Sequence, residues 1–163
     1  MMGPATTIDG EEGTAMGDER DELHGRVEQR LQAVDQRYSS GRRRLVEALA
    51  AADCPVTIPE LLEERTDIPM SSAYRNLTVL EQVGAVTRIA TFGEHARFEL
   101  AEDLTGHHHH LICTNCGRIE DFVVPDEVEH AVDESLAAAV RPTGFQPTSH
   151  RMDLLGICAR CQG

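Results

Sequence analysis

The sequence predicts an α+β fold in two parts, and three observations predict it. Helical periodicities fill most of the chain up to Gly84, a strand–turn–strand pattern follows as far as Leu100, and a shorter mixture of strands and one helix carries two Cys-x-x-Cys pairs to the end. With 163 residues, of which 40% are hydrophobic, the chain can bury one ordinary core or two small ones.

The net charge of −13 is unevenly distributed. Residues 1–22 hold seven acids and one Arg, and residues 102–163 hold ten acids and four Arg. Residues 23–101 are nearly neutral, with eleven acids and ten Arg. There is no Lys, so cationic contacts fall to Arg or to protonated His. The middle segment is therefore the part best suited to nucleic acid.

No apolar run approaches the roughly 20 residues that a membrane-spanning helix needs. No signal-peptide pattern opens the chain. We expect a cytoplasmic, soluble protein with no membrane partner.

The first elements follow from periodicity and capping residues. Residues 1–21 are acidic and Gly-rich without a period, and predict a disordered tail. Leu23, Val27, Leu31 and Val34 then have helical spacing. A second helix begins at Ser39 or Ser40, and a third short one at "TIPELL", with Thr57 as its N-cap.

The stretch "SSAYRNLTVLEQVG" predicts a fourth helix that begins at a Ser cap and ends at Gly84. Two short strands follow, around a turn near Gly93. Helices followed by a hairpin are the order of a winged helix-turn-helix. We therefore expect a DNA-binding domain over residues 22–101.

Residues 102–163 predict a small α/β domain. Strands are expected at 111–112, 118–124 and 150–155, with a helix at 126–139 between Pro125 and the breakers of "RPTGFQPT".

Four of the five cysteines form two pairs, Cys113/Cys116 and Cys158/Cys161. Such knuckles clamp one tetrahedral Zn²⁺, and four thiolates leave no open position, so the site is structural. Redox-active pairs, a disulfide and coincidence are the rival interpretations, but a redox pair usually opens a helix and neither pair here does. A domain of about 60 residues is also of the size that a metal typically stabilises.

The run His107, His108, His109, His110 leads into a strand and the first knuckle. Successive side chains of a strand point to opposite faces. The odd histidines then share one face and the even ones the other, which predicts two separate metal sites. Further ligands must come from elsewhere, and the candidates are His95, Glu99, Asp121, Glu129, His130 and His150.

The segments "SSAYRNLTVLEQVGAVTRI", "RFEL", "HHHHLICTNCGRIEDF" and "SHRMDLLGICARC" resemble the ferric uptake regulator (Fur) family over roughly residues 25–163. The resemblance implies a homodimeric, metal-dependent repressor of metal-homeostasis or oxidative-stress genes that binds palindromic double-stranded DNA. It also implies a C-terminal dimerisation domain, a structural zinc and one or two sites for a regulatory divalent metal, Zn²⁺, Fe²⁺ or Mn²⁺.

The same resemblance implies two regulatory ligand sets. The site at the hinge between the domains would use Glu99, His108, His110 and Asp121. The site inside the dimerisation domain would use His107, His109, Glu129 and His150.

One departure from the family concerns the hinge. Iron- and peroxide-sensing members have a His before the third helix, where this chain has Cys54 and Pro55. Zinc-sensing members have a Cys shortly before the histidine run, and "AEDLTG" has none. Cys54 is a candidate soft ligand that would favour zinc, and His95 is a weaker one. Which metal is sensed stays open at this point.

The fourth predicted helix is the DNA-reading element. Its first turn carries Ser71, Ser72, Tyr74 and Arg75, at the end that enters the major groove in helix-turn-helix docking. By resemblance, Tyr74 and Arg75 match the family's DNA contacts. The cluster Arg42, Arg43 and Arg44 would meet backbone phosphates. The plainer alternatives are a core Tyr74 and solvated or acid-paired arginines.

Clusters of histidine and cysteine also occur in proteins with two other functions. A zinc hydrolase needs an open coordination position and a nearby acid or base. Glu99 or Glu120 would have to serve, and no HExxH-type helix is present, so we expect no enzyme. The second alternative is a zinc-stapled protein-interaction module without DNA binding.

Overall fold

The computed structural model describes residues 12–63, 67–89 and 95–163, with side chains from residue 17 onwards. The helices in these ranges are α1 (Glu12–Gln32), α2 (Ser40–Ala50), α3 (Ile58–Glu63), α4 (Met70–Gln82), α5 (Glu102–Thr105) and α6 (Asp126–Val140). The strands are β1 (Val56–Thr57), β2 (Val86–Ile89), β3 (Arg97–Leu100), β4 (His109–Cys113), β5 (Ile119–Phe122) and β6 (Asp153–Gly156). No helix in the described ranges is long and apolar enough to cross a membrane.

The N-terminal helices and the first sheet enclose one hydrophobic core. Val27 and Leu31 of α1, Leu45 of α2, and Leu77 and Leu80 of α4 are almost completely buried in it. Strands β1, β3 and β2 form an antiparallel sheet in that order, with Val86 opposite Leu100. The antiparallel strands β2 and β3 follow the helices as a winged helix requires, and the turn expected near Gly93 lies outside the described residues. The expected α+β fold class is confirmed.

Local signals start and stop these helices as the sequence predicts. The Ser39 side chain accepts a hydrogen bond from the Arg42 N–H and caps α2. Thr57 and Glu60 cap α3 reciprocally: the Thr57 N–H donates to Glu60 Oε2 at 2.7 Å, and the Glu60 N–H to Thr57 Oγ1 at 3.3 Å. Gly84 follows the C-cap residue Val83 of α4 and has φ +68°, a conformation that L side chains rarely adopt.

The predicted first residues of two helices, α4 and α1, were wrong. Helix α4 begins at Met70 with Pro69 as its N-cap, not at a serine, because the φ of proline suits the entry to a helix. Helix α1 begins at Glu12, so the expected disordered tail over residues 1–21 is wrong from Glu12 onwards, and residues 1–11 lie outside the described residues. Once a buried stripe fixes a helix, each added residue gains a hydrogen bond at little cost.

Strand β3 presents different chemistry on its two faces. Phe98 and Leu100 point into the core, and Arg97 and Glu99 alternate with them on the other face. The Arg97 guanidinium donates to the Pro55 carbonyl at 3.0 Å, to Glu60 Oε2 at 2.8 Å and to the Gly117 carbonyl in the first cysteine knuckle at 3.0 Å. Arg97 thus joins the winged helix to the C-terminal part.

The second sheet has the order β5-β4-β6, with β4 antiparallel to β5 and parallel to β6. Its register places His110 opposite both Asp121 and Asp153. Few apolar side chains are buried here, and α6 buries none within the described chain. The division of the chain into domains between residues 101 and 102 stays a prediction.

Candidate metal centres and nucleic-acid interface

The histidine run alternates between two sides of one extended segment, as predicted. The rings of His107 and His109 meet edge to face with centroids 4.8 Å apart, and those of His108 and His110 do the same at 5.0 Å. Each pair joins a different set of carboxylates. Four consecutive histidines therefore belong to two separate clusters.

We call the first group the inner cluster: His107, His109, Glu129 and His150. One ligand atom from each residue lies within 4.8 Å of all the others. All three imidazoles turn Nε2 toward the Glu129 carboxylate, at 3.3 Å for His107 and His150 and 2.5 Å for His109. Three nitrogens and one carboxylate around one point suit a four-coordinate metal such as zinc.

We call the second group the hinge cluster: Glu99, His108, His110 and Asp121. Glu99 Oε2 lies 3.1 Å from Nε2 of both His108 and His110, and Asp121 is 3.9 Å from each ring. Glu99 belongs to the wing strand β3, whereas the other three belong to β4, β5 and the residues just before β4. The cluster thus spans the two parts of the chain.

The pKa values of the hinge groups are shifted by burial and by the groups' contacts with one another. Burial alone would raise the pKa of Glu99, but hydrogen bonds from His110 and His108 hold it below its usual value. Burial alone would lower the pKa values of His108 and His110, but hydrogen bonds to oxygens, Glu99 among them, raise both. Asp121 has a raised pKa, chiefly through burial.

In the inner cluster, too, burial and contacts with histidines shift the pKa of the glutamate in opposite directions. Burial would raise the pKa of Glu129, yet the hydrogen bond from His109 and the neighbouring His107 and His150 lower it. Three buried atoms of this cluster have no hydrogen-bond partner in the described part of the chain: His109 Nδ1, Glu129 Oε2 and His150 Nε2.

The four cysteines Cys113, Cys116, Cys158 and Cys161 form one cluster with all sulfurs within 4.8 Å of one another. Thiolates about 2.3 Å from one tetrahedral zinc lie about 3.8 Å apart. The sulfurs of Cys116 and Cys158 are 3.8 Å apart, far beyond a disulfide, and all four cysteines are free thiols. Backbone N–H groups, first that of Cys158, lower the pKa of Cys113 to about 6. The cluster fits a structural Zn²⁺.

The first turn of α4 exposes the predicted DNA-reading residues. Tyr74 is 48% exposed, so it is not a core residue. The Arg75 guanidinium lies back along the helix, donating to the Ser71 carbonyl at 3.3 Å and to Ser72 Oγ at 3.4 Å. Leu77 and Leu80 hold the opposite face of the helix in the core.

The arginine cluster at the start of α2 has partners within the chain. Arg42 donates to Gln36 Oε1 at 3.0 Å, Arg43 lies 4.8 Å from the centre of the Tyr38 ring, and Arg44 pairs with Asp67 at 2.8 Å. The acid-paired alternative therefore holds for Arg44. Arg43 is exposed apart from its aromatic contact.

Three other candidates lie outside both regulatory clusters. Cys54 lines a cavity of about 340 Å³ together with Glu99, His108 and Asp121, but is not among the clustered ligand atoms. Burial, and then Asp121, raises the pKa of its thiol. His95 lines a different cavity, beside Tyr74 of α4, and His130 lies next to the inner cluster without joining it.

Three further carboxylates, which were not predicted from the sequence, contact the histidines at Nδ1, the ring nitrogen that faces away from the converging ligand atoms. Glu102 contacts Nδ1 of His107, Asp153 lies 3.2 Å from Nδ1 of His110, and Asp133 lies 2.9 Å from Nδ1 of His150. Asp133 stands one helical turn after Glu129, a spacing that marks the same face of α6 and offered a signal. Asp153 offered none, because its position depends on the register of two strands distant in sequence.

Comparison with known proteins gives consistent matches. A family model described as "Ferric uptake regulator family" matches residues 34–155. The ferric uptake regulation protein of Legionella pneumophila is 38% identical over 102 residues, covering 63% of this chain and 70% of that protein. The peroxide-responsive repressor PerR of Staphylococcus saprophyticus is 30% identical over 130 residues, covering 77% and 82%.

Among solved structures, the Helicobacter pylori ferric uptake regulator superimposes with a TM-score of 0.68 at 25% identity, covering 88% of this chain and 94% of that one. That structure is described as revealing three functional metal-binding sites.

Proposed function

The chain belongs to the ferric uptake regulator family, and on that premise we propose that the hinge cluster is the metal switch that controls its binding to DNA. The protein is a metal-responsive, DNA-binding transcription repressor that acts as a dimer. The alternative of an interaction module without a DNA role has no support from these matches.

The observation that carries the proposal is the location of Glu99. Its strand, β3, pairs with β2 in the sheet that closes the core against α4. His108, His110 and Asp121 belong to the other part of the chain. These four residues would hold the metal ion, and with the ion bound their link between the two parts would fix the direction in which each winged helix points. Two winged helices fixed in this way reach both half-sites of a palindrome, so metal binding and DNA binding are reciprocally coupled.

The two clusters have different ligand sets and suit different metals. The inner cluster offers three imidazoles and one carboxylate, a set typical of Zn²⁺. The hinge cluster offers two imidazoles and two carboxylates, which suit the harder ions Fe²⁺ and Mn²⁺ better. A thiolate from Cys54 would shift the hinge toward zinc, but its sulfur is not among the clustered ligand atoms, and burial and then Asp121 raise the pKa of the thiol.

The DNA interface in this proposal is the first turn of α4. Tyr74 and Arg75 reach base edges, and Ser71 and Ser72 contact phosphate or sugar oxygens. Arg42, Arg43 and Arg44 contact backbone phosphates, which replace partially exposed partners such as Asp67. The protein acts on the chromosome, hence in the cytoplasm, and no catalytic role is part of the proposal.

The experiment is a metal titration of DNA binding. Dimer that retains its structural zinc is stripped of regulatory metal, and an operator is selected from a random DNA pool in the presence of Mn²⁺. Fluorescence anisotropy then measures affinity with added Mn²⁺, anaerobic Fe²⁺, Zn²⁺ or Ni²⁺. We expect at least one ion to raise specific affinity by 5–150-fold, the usual range of allosteric coupling, which is about 1–3 kcal/mol. Equal affinity with and without every ion would refute the switch.

Alternation in the run supplies a matched set of variants. His108→Ala and His110→Ala should each abolish the metal response and leave the dimer intact. His107→Ala and His109→Ala should weaken the C-terminal part or shift the metal threshold. In double-mutant cycles, His108 with His110 should be strongly non-additive, and His108 with His109 nearly additive. If chain neighbours couple more strongly than alternate residues, the two-cluster assignment fails.

A further inference from the structure

The histidines of both clusters share an arrangement that the ligand sets do not explain. Each turns Nε2 toward the point where the ligand atoms converge, and four of the five have an oxygen behind the ring, at Nδ1. For His108 this oxygen is the Gly106 carbonyl at 3.0 Å. For His107, His110 and His150 it is a carboxylate outside the ligand set, from Glu102, Asp153 and Asp133 respectively.

Accepting the proposed function of the two clusters, we propose that Asp153 is a positioning residue of the hinge cluster and that Asp133 is its counterpart in the inner cluster. Each accepts the Nδ1–H of one histidine, keeps the proton on that nitrogen, and leaves the Nε2 lone pair free for the metal. A carboxylate behind a metal-bound imidazole also makes the ring a stronger donor and fixes its orientation.

The fold explains why Asp153 meets His110. Strands β4 and β6 run parallel, with these two residues as direct partners. Both strands lead into cysteine knuckles: β4 ends at Cys113, and Cys158 follows shortly after β6. The structural zinc therefore fixes the register on which the contact depends.

The Asp153 carboxylate is itself held in place. Arg151 Nε donates to the same Oδ1 atom at 3.2 Å, and the His110 ring is 95% buried between Asp153 on one side and Glu99 on the other. A ring held at both nitrogens cannot flip without losing both contacts. A flip would bring Nδ1 to the metal and bury Nε2 against a carboxylate.

Asp133, a residue of helix α6, contacts Nδ1 of His150 in the same way. It follows Glu129 by one turn of α6, so one helix face supplies a ligand carboxylate and, next to it, the carboxylate that holds His150. Asp133 is well exposed and Asp153 only partly. Because solvent weakens exposed contacts, the effect of Asp153 should be the larger of the two.

The test measures Co²⁺ affinity by visible absorbance, in competition with a chelator, on the full-length dimer with its structural zinc. The His107→Ala background disables the inner cluster and reports the hinge alone, and the His108→Ala background does the reverse. In the first background, Asp153→Ala should weaken Co²⁺ binding 10–100-fold. Asp153→Asn, whose amide oxygen still accepts from Nδ1–H, should restore most of that loss.

Control variants show whether the loss of Co²⁺ affinity comes from the contact between Asp153 and His110. Asp133→Ala should weaken only the inner cluster, and Glu127→Ala, which removes an exposed acid from the same helix, should change neither. The proposal is overturned if Asp153→Ala leaves hinge affinity within about twofold of its background, or if it weakens both clusters equally. It is also overturned if the Asn variant is no better than the Ala variant. Absence of Co²⁺ binding by the unsubstituted chain would instead refute the metal sites themselves.

Discussion

The two parts of the chain are stabilised by different forces. In the described part of the chain up to residue 101, fifteen side chains are buried in one continuous hydrophobic cluster. The C-terminal part contributes Ile112 and Ile119 to a cluster of three. Its other deeply buried groups are potential metal ligands, namely Cys113, His109 and His110. Hydrophobic burial thus accounts for the first part, whereas the second depends on ions that the chain must acquire.

The largest expected effect comes from removing a zinc ligand. Cys113→Ser or Cys158→Ser should release the structural zinc and unfold the C-terminal part, because binding energy of about 10–16 kcal/mol for such sites is also folding energy. The helical N-terminal part should stay folded. Zinc content, sedimentation and amide hydrogen exchange along the chain measure these outcomes. A variant that kept its zinc, the dimer and full protection of the C-terminal amides would contradict the four-cysteine assignment.

The converse substitution tests the first part. Leu80 is fully buried in the N-terminal core, so Leu80→Ala should cost about 2–5 kcal/mol of stability. Zinc content and the Co²⁺ spectrum of the clusters should be unchanged below the unfolding transition. Chemical denaturation followed by circular dichroism measures the loss. A large decrease in zinc affinity would mean that the stability of the C-terminal part depends on the N-terminal hydrophobic core.

A smaller effect concerns function rather than folding. Arg75→Ala should reduce operator affinity by about 1–3 kcal/mol at fixed salt if the side chain reads a base edge. Folding and metal content should match the unsubstituted chain, since Arg75 contacts only its own helix in the described structure. Competition with non-specific DNA shows whether specificity falls too. If the Arg75→Ala variant bound the operator with wild-type affinity, Arg75 would be a solvated charge and not a DNA contact.

The smallest effect is in pH dependence, and its sign differs between the two parts. Burial lowers the pKa of His24, so its contribution to stability is present above the unfolded value of about 6.5 and is lost as pH falls. The raised pKa values of His108 and His110 act oppositely: their contribution is present below about 6.5 and is lost as pH rises. Glu99, with its lowered pKa, contributes above about 4.5.

With regulatory metal removed, a shift from pH 8 to pH 5.5 should therefore stabilise the hinge and destabilise the packing around His24. Amide hydrogen exchange, corrected for intrinsic rates, reports both regions in one sample. The His108→Ala, His110→Ala double variant is the control, and it should lose the gain at the hinge. A loss of protection at the hinge on acidification would show that the sign is wrong.

Sequence reasoning was most reliable where the determinants are local. The Ser39 and Thr57 caps, Gly84 and the alternation of the histidines depend on a few neighbouring residues, and the structure has them as predicted. The start of α1 was missed because helix propagation from buried turns overrides a polar, Gly-rich composition.

The rest depends on contacts between distant segments. The parallel pairing of β4 with β6 brings Asp153 to His110, and no pattern within either strand encodes it. Cys54 and His95 were candidates by composition, but only the tertiary structure places the first beside the hinge and the second beside α4. The ligand sets came from a resemblance, and their roles stay predictions until metal is bound and measured.

Arg97 contacts both parts of the chain, and we expect this link to set how many steps the chain takes to unfold. Two parts that rest on different forces would give two calorimetric transitions if they were independent. Arg97 donates to Pro55 and Glu60 on one side and to the first cysteine knuckle on the other, and its side chain is only 14% exposed. Opening the C-terminal part removes the Gly117 acceptor, and opening the N-terminal part removes Pro55 and Glu60, so either opening leaves a mostly buried guanidinium short of partners. We therefore expect one cooperative calorimetric transition while zinc is bound, and two transitions when zinc is withdrawn.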